Sequence, residues 1–181
     1  MKFRFGKKQL ALLVACLVVV AAVGIGIYLS TPKEIKHYNF YGTQIAFRDD
    51  LRNAKNISVY PDDKAIQAAV WNPDLKNITI AFVNSSDNNL MAVDSFEITY
   101  KMSIAYNKFD WFINFNGKEV GSFGNLTGTK DNLVIALVPP SIANETKVEM
   151  KDNVIYIKGK TPVDFDRATI RFIMSALNIT V

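Results

Sequence analysis

The chain has 181 residues, 49% hydrophobic, 12% aromatic and 21% charged, which fits one extramembrane domain with a core and excludes a disordered chain. Its formal charge of +4 is concentrated at the start: Lys2, Arg4, Lys7 and Lys8 precede a body in which 17 basic residues face 17 acidic ones, all after residue 30. A balanced body offers no basic track for phosphates, so nucleic-acid binding is excluded as a function class.

One cysteine, Cys16, and one histidine, His37, exclude an intrachain disulfide and a Cys/His zinc centre. No partner motif makes a nucleophile relay of His37. No catalytic residue, metal or cofactor is expected.

Residues 9–32 carry no charge, and residues 10–30 (LALLVACLVVVAAVGIGIYLS) are almost wholly apolar. About 20 helical residues at ~1.5 Å each span the ~30 Å hydrocarbon core of a bilayer. The run exceeds the apolar stretch of a cleaved signal peptide, so an uncleaved anchor is expected, with cleavage after Gly24 as the alternative. Leu13, Val14, Ala15 and Cys16 resemble a lipobox, but a further apolar run follows Cys16 instead of a polar tether; a buried membrane cysteine is the better reading. Ala22 and Gly26 form a small-xxx-small pair. The basic residues before the span and the mixed Lys33, Glu34 and Lys36 after it place residues 1–9 in the cytoplasm and residues 31–181 outside.

Asn-x-Ser/Thr sequons occur at Asn56, Asn77, Asn84, Asn125, Asn144 and Asn178. Composition alone predicts about two, so the excess reads as N-glycosylation of an exported domain. Asn77 and Asn178 adjoin apolar runs and are candidates for burial instead. Abundant sequons without disulfides suit an archaeal surface protein.

After a polar stalk at 31–41, residues 44–47 read as a short extended piece, 48–53 as one helical turn and 57–60 as a short strand. Residues 62–71 read as a helix, opened by Pro61 and two acids and closed by Pro73. The β-branched run 77–83 predicts a strand. A polar loop at 84–89 leads to a helix over 90–106, whose core face is read as Leu90, Val93, Phe96 or Glu97, Tyr100 and Ile104. Residues 111–116 predict a strand ended by a turn at Asn116-Gly117, and 121–131 a loop. The continuous apolar run 133–138 predicts a strand covered on both faces. Strands at 147–150 and 154–158 follow. The final helix has Thr161 as N-cap, Pro162 at its first position, Asp164 answering the cap, and a stripe of Ala168, Phe172, Ile173, Ala176 and Leu177. Strands alternating with helices predict a three-layer α/β domain with a mostly parallel sheet over residues 42–181.

Ligands in such sheets bind outside the strand carboxyl ends, where helix N-termini favour anions. That rule selects Asn84, Ser86, Asp87, Asn116, Ser141, Lys160 and Thr161 as candidate ligand-binding residues. Gly159, Lys160 and Thr161 resemble the end of a P-loop, but the glycine required five positions earlier is Val154, so the motif fails. The pairs Asp49/Asp50, Asp62/Asp63 and Asp164/Asp166 lack calcium-loop spacing.

Two segments, LVIALVPPSIANET and VIYIKGKTPVDFDRATIRFIMSAL, resemble parts of archaeal surface-layer-type proteins through Pro139, Pro140 and Asn144, then Gly159, Asp166, Ala168 and Thr169. Where that family has a Gly-Gly-Pro turn, this chain has Val138-Pro139-Pro140. The resemblance implies an archaeal envelope setting and no catalytic residue. The whole chain is similar to small single-span archaeal proteins of unassigned function. The expected role is a non-catalytic, membrane-anchored, glycosylated envelope binding or assembly module, partnered by the membrane and another envelope protein or membrane subunit. The alternative is an envelope hydrolase with a carboxylate pair at the strand ends, for which Asp49, Asp50 and Asp87 are the acids to watch.

Overall fold

The structure, a computed structural model, describes residues 36–181; the basic tail, the apolar span with Cys16, and the first part of the stalk lie outside the described residues. No helix among the described residues is long and apolar enough to cross a membrane.

Among the described residues twelve elements follow one another: β1 (Lys36–Phe40), β2 (Thr43–Phe47), α1 (Leu51–Lys55), β3 (Ser58–Tyr60), α2 (Asp63–Val70), β4 (Asn77–Phe82), α3 (Asn88–Lys108), β5 (Asn114–Glu119), β6 (Asn132–Val138), β7 (Lys147–Lys151), β8 (Val154–Lys158) and α4 (Pro162–Ala176). Strands β3 to β8 form one sheet in the order β3-β7-β8-β6-β4-β5. Within that sheet only the β7–β8 pair is antiparallel. The expected α/β domain with a mostly parallel sheet is therefore what the chain forms.

Side-chain alternation along the strands shows how the two faces are used. Ile78 and Ile80 of β4, Leu133, Ile135 and Leu137 of β6, and Ile155 and Ile157 of β8 point into the main core, together with the buried residues of α1, α2, α3 and α4. The alternate residues Ala81, Val134, Ala136 and Val154 form a small second cluster, covered by Val120, Phe123 and Leu126. The three-layer expectation is thus revised. The helices described share one face of the sheet, and segment 120–131 covers part of the other. Helical periodicity reveals that a face is buried, but not which side of the sheet buries it.

Residues 36–41 also depart from the stalk reading. Strand β1 pairs with β2 in an antiparallel hairpin, Phe40 opposite Thr43, whose turn residues Tyr41 and Gly42 have φ of 47° and 83°. Phe40, Ile45 and Phe47 are buried in the main core, which holds the hairpin in place. β5 starts at Asn114 rather than Trp111, and the supposed turn at Asn116-Gly117 lies within it, paired with Thr79 and Ile80 of β4. Trp111 packs against Trp71 and Tyr106 instead of joining the strand.

Local signals succeed where they are short-range. Asp62 caps α2 by accepting from Ala65 N, and Thr161 caps α4 by accepting from Asp164 N, with Pro162 in the first turn. Every residue of the stripe expected on α4 is buried. The glycine of the failed P-loop has a packing role: a Cβ on Gly159 would stand 2.3 Å from the Phe165 backbone, so a side chain there would force α4 away from the sheet. Replacing Gly159 with Ala is expected to cost about 2 kcal/mol, or about 6 °C in Tm, by overpacking. Gly121→Ala, with nothing within 4 Å of its Cβ, is expected to leave thermal denaturation unchanged.

Candidate functional site

At the carboxyl ends of the parallel strands, the seven sequence-selected residues divide between elements. Asp87 and Ser141 meet: the Asp87 carboxylate accepts from Ser141 N at 2.9 Å. Asn84 accepts from the Asn88 amide. Thr161 is engaged as the α4 cap, and Lys160 N donates to Thr146. Ser86 is exposed. Asn116 lies on β5, lining a different cavity. These polar groups largely satisfy one another. Nor do Asp49 and Asp50 join Asp87 through shared ionic contacts: Asp49 pairs with Arg167 and Asp50 with Arg52. The Arg52 hydrogen bonds hold the Asp50 carboxyl down to about 2.

The largest departure from the sequence reading is the rotation of α3. Of the residues read as its core face, Leu90 and Ile104 pack half-buried against the core, but Val93, Phe96 and Tyr100 are 42%, 65% and 53% exposed. The face that is buried carries Met91, Asp94, Ile98, Lys101, Met102 and Ala105. Both stripes follow helical spacing, offset by one residue or about 100° around the axis. The apolar pattern alone fits either rotation.

Charges on the buried face are met by the hairpin. Arg48, just past β2, reaches Asp94 at 3.4 Å and Glu97 at 3.0 Å on α3, and Asp166 at 2.9 Å on α4. Lys101 pairs with Glu97 and lies under the Phe47 ring, 4.9 Å from its centroid. Two cations therefore face three carboxylates. Asp94 has no exposed surface, and among the described residues its Oδ2 and the Thr169 hydroxyl make no hydrogen bond of normal geometry, although the hydroxyl lies close enough to favour the charged carboxylate. Burial first, then the Asp166 charge, push the Asp94 carboxyl up to about 7 against the pull of Arg48. A shifted acid beside a second carboxylate resembles a hydrolytic pair. In this one, however, Asp94 has no exposed surface and Asp166 is ion-paired with Arg48.

Two larger cavities lie elsewhere. One, about 500 Å³, runs between α3 and the end of the sheet. Its walls include Phe82, Met91, Phe96 and Phe115, with Asn116 and Gly117 on β5. Phe96 and Tyr100 stack with ring planes 9° apart. β5 is an edge strand, bonded only to β4 among the described residues, so its outer backbone groups form an open row. The second cavity, about 400 Å³, lies where α2, α3 and α4 end and is lined by aromatic residues around Trp71. Of their linings the strand-end rule selects only Asn116, although five aromatic residues crowd positions 106–115 and mark that region.

Of the six sequon asparagines, Asn56, Asn84, Asn125, Asn144 and Asn178 are exposed. Asn77 is half-buried in β4, where its side chain accepts from Asn114. The burial suspected for Asn77 is thus seen in part, whereas that for Asn178 is not. Among the described residues no group of three or more His, Cys, Asp or Glu side chains is placed to hold a metal ion. Comparisons with protein-family models, curated proteins and solved structures find no match to this chain.

Asp94 makes the fold pH-sensitive. Its folded pKa lies above the unfolded value, so its stabilising contribution is complete below about pH 4 and is lost as pH rises through about 7. Wild-type Tm is expected to fall between pH 5 and pH 8, and Asp94→Asn is expected to flatten that slope. An equal slope in both proteins, measured by thermal denaturation, would contradict this assignment.

Proposed function

We propose that the protein is a single-span, membrane-anchored envelope module. Its extracytoplasmic domain binds another surface component through the groove between α3 and β5. The observation that supports the reading is the rotation of α3, which buries Asp94 and Lys101 and leaves a stacked Phe96–Tyr100 pair exposed beside an open strand edge. Solvated helix faces are ordinarily polar, whereas exposed aromatic residues beside a groove are the usual composition of a recognition surface. An open strand edge adds main-chain donors and acceptors for an extended partner segment.

The apolar run at 10–30 and its flanking charges support the anchor and the outside placement of residues 31–181. Five exposed sequon asparagines are compatible with an N-glycosylated domain. The competing hydrolase reading draws on the raised Asp94 next to Asp166, but a carboxylate without exposed surface cannot meet a glycan or peptide.

Affinity capture of the full-length protein from its native membranes tests the reading, with the double variant Phe96→Ser/Tyr100→Ser as comparison. Surface substitutions of this kind change stability by about 0.5 kcal/mol or less, so the variant should fold. Its recovery of the co-purifying envelope component is expected to drop at least about tenfold, the scale of losing interface aromatics. Undiminished recovery would refute the α3–β5 assignment. Resistance of residues 36–181 to protease added to intact cells would refute the outside placement.

A further inference from the structure

The aromatic cavity at the other end of the domain is independent of the α3–β5 groove. Phe109 meets Trp71 edge-on at 5.6 Å and Tyr41 at 5.3 Å, while Trp111 tilts against Trp71 at 5.6 Å. Trp71 is fixed by its Nε1–H, which donates to Ala176 O at 2.7 Å. The rings therefore form a preset bowl. Its remaining walls include Gln67 and Asn178, whose side-chain amides make no hydrogen bond within the described residues.

This lining selects a ligand by chemistry. None of its side chains is charged at neutral pH, so an ionic ligand would lose its hydration without gaining a counter-charge. A purely apolar ligand would leave the two amides unused. A sugar ring, with C–H groups on one face and hydroxyls at its rim, matches aromatic walls edged by amide donors and acceptors. The volume of about 400 Å³ falls in the roughly 300–1,000 Å³ range of small-molecule sites. Tyr41 adds a second observation. Its φ of 47° places a bulky residue at a turn position that favours Asn, Asp or Gly, and its ring remains 69% exposed at the mouth of the bowl.

We propose that this bowl binds a neutral pyranose ring. Two sources present the same chemistry: a saccharide carried by another envelope component, and a sugar attached to Asn178, whose sequon lies on the rim. The site stands without the α3–β5 reading, and its test does not involve that groove.

Trp71 and Trp111 are the only tryptophans in the chain, so intrinsic emission reports directly on the bowl. Full-length protein made in a host without N-glycosylation is titrated with methyl glycosides of glucose, galactose, mannose and N-acetylglucosamine. A saturable change in tryptophan emission with at least one of them is expected. Tyr41→Ala is expected to weaken it about fivefold, the scale of one aromatic contact, and Val163→Ala, exposed and outside the lining, to leave it unchanged. If the sugar belongs to Asn178, the free glycosides are silent, and Asn178→Gln shifts the emission of the glycosylated protein to that of the unglycosylated one. Silence with every glycoside together with no effect of Asn178→Gln would overturn the proposal, as would equal binding by the Tyr41→Ala variant.

Discussion

The ion cluster beneath the β1–β2 hairpin accounts for the orientation of α3, and the exposed surface follows from that orientation. Arg48 reaches three carboxylates on two helices, and Phe47 lies over Lys101. Uncompensated, Asp94 and Lys101 in the interior would each cost several kcal/mol. With Arg48 and Glu97 present they are paired, and the helix can turn its charged stripe inward. That turn carries Phe96 and Tyr100 to the outside. The hairpin thus does more than extend the fold, since it supplies the counter-charge that makes the buried stripe of α3 tolerable.

What could be read from the chain followed the range of the interaction responsible. Asp62 and Thr161 announce helix starts because a cap is a bond between residues three apart. The run 133–138 announces a doubly covered strand because both of its faces are apolar. The rotation of α3 was not legible, because two stripes compete and the deciding partner, Arg48, lies 46 positions from Asp94. Strand β1 reads as part of a polar stalk for the same reason, since its buried Phe40 finds its partners only in the assembled core. Candidate residues chosen by the strand-end rule included helix caps and loop braces, functions that use the same Asn, Ser, Thr and Asp residues as a polar site.

The domain carries different chemistry at its two ends. Around the strand carboxyl ends, polar side chains are largely committed to one another, as with Asp87 and the Ser141 amide. Near the opposite end, where α2, α3 and α4 terminate, Trp71, Phe109 and Trp111 leave a concave aromatic surface. Alongside lies the α3–β5 groove, with an unpaired strand edge. Sequence reasoning looks first to strand ends in α/β domains because helix N-termini there attract anions. In this chain the two cavities are walled by aromatic and other uncharged side chains, in a body whose net charge is zero outside its first eight residues.

Cysteine accessibility tests the rotation of α3 most directly. On a Cys16→Ser background, Phe96→Cys and Ile98→Cys proteins, full-length in detergent, are exposed to a maleimide under native conditions. The account predicts rapid labelling at position 96 and strong protection at position 98, with the two rates converging on denaturation. Rapid labelling at 98 with protection at 96 would show that the helix buries its aromatic stripe, and the account of α3 would be wrong.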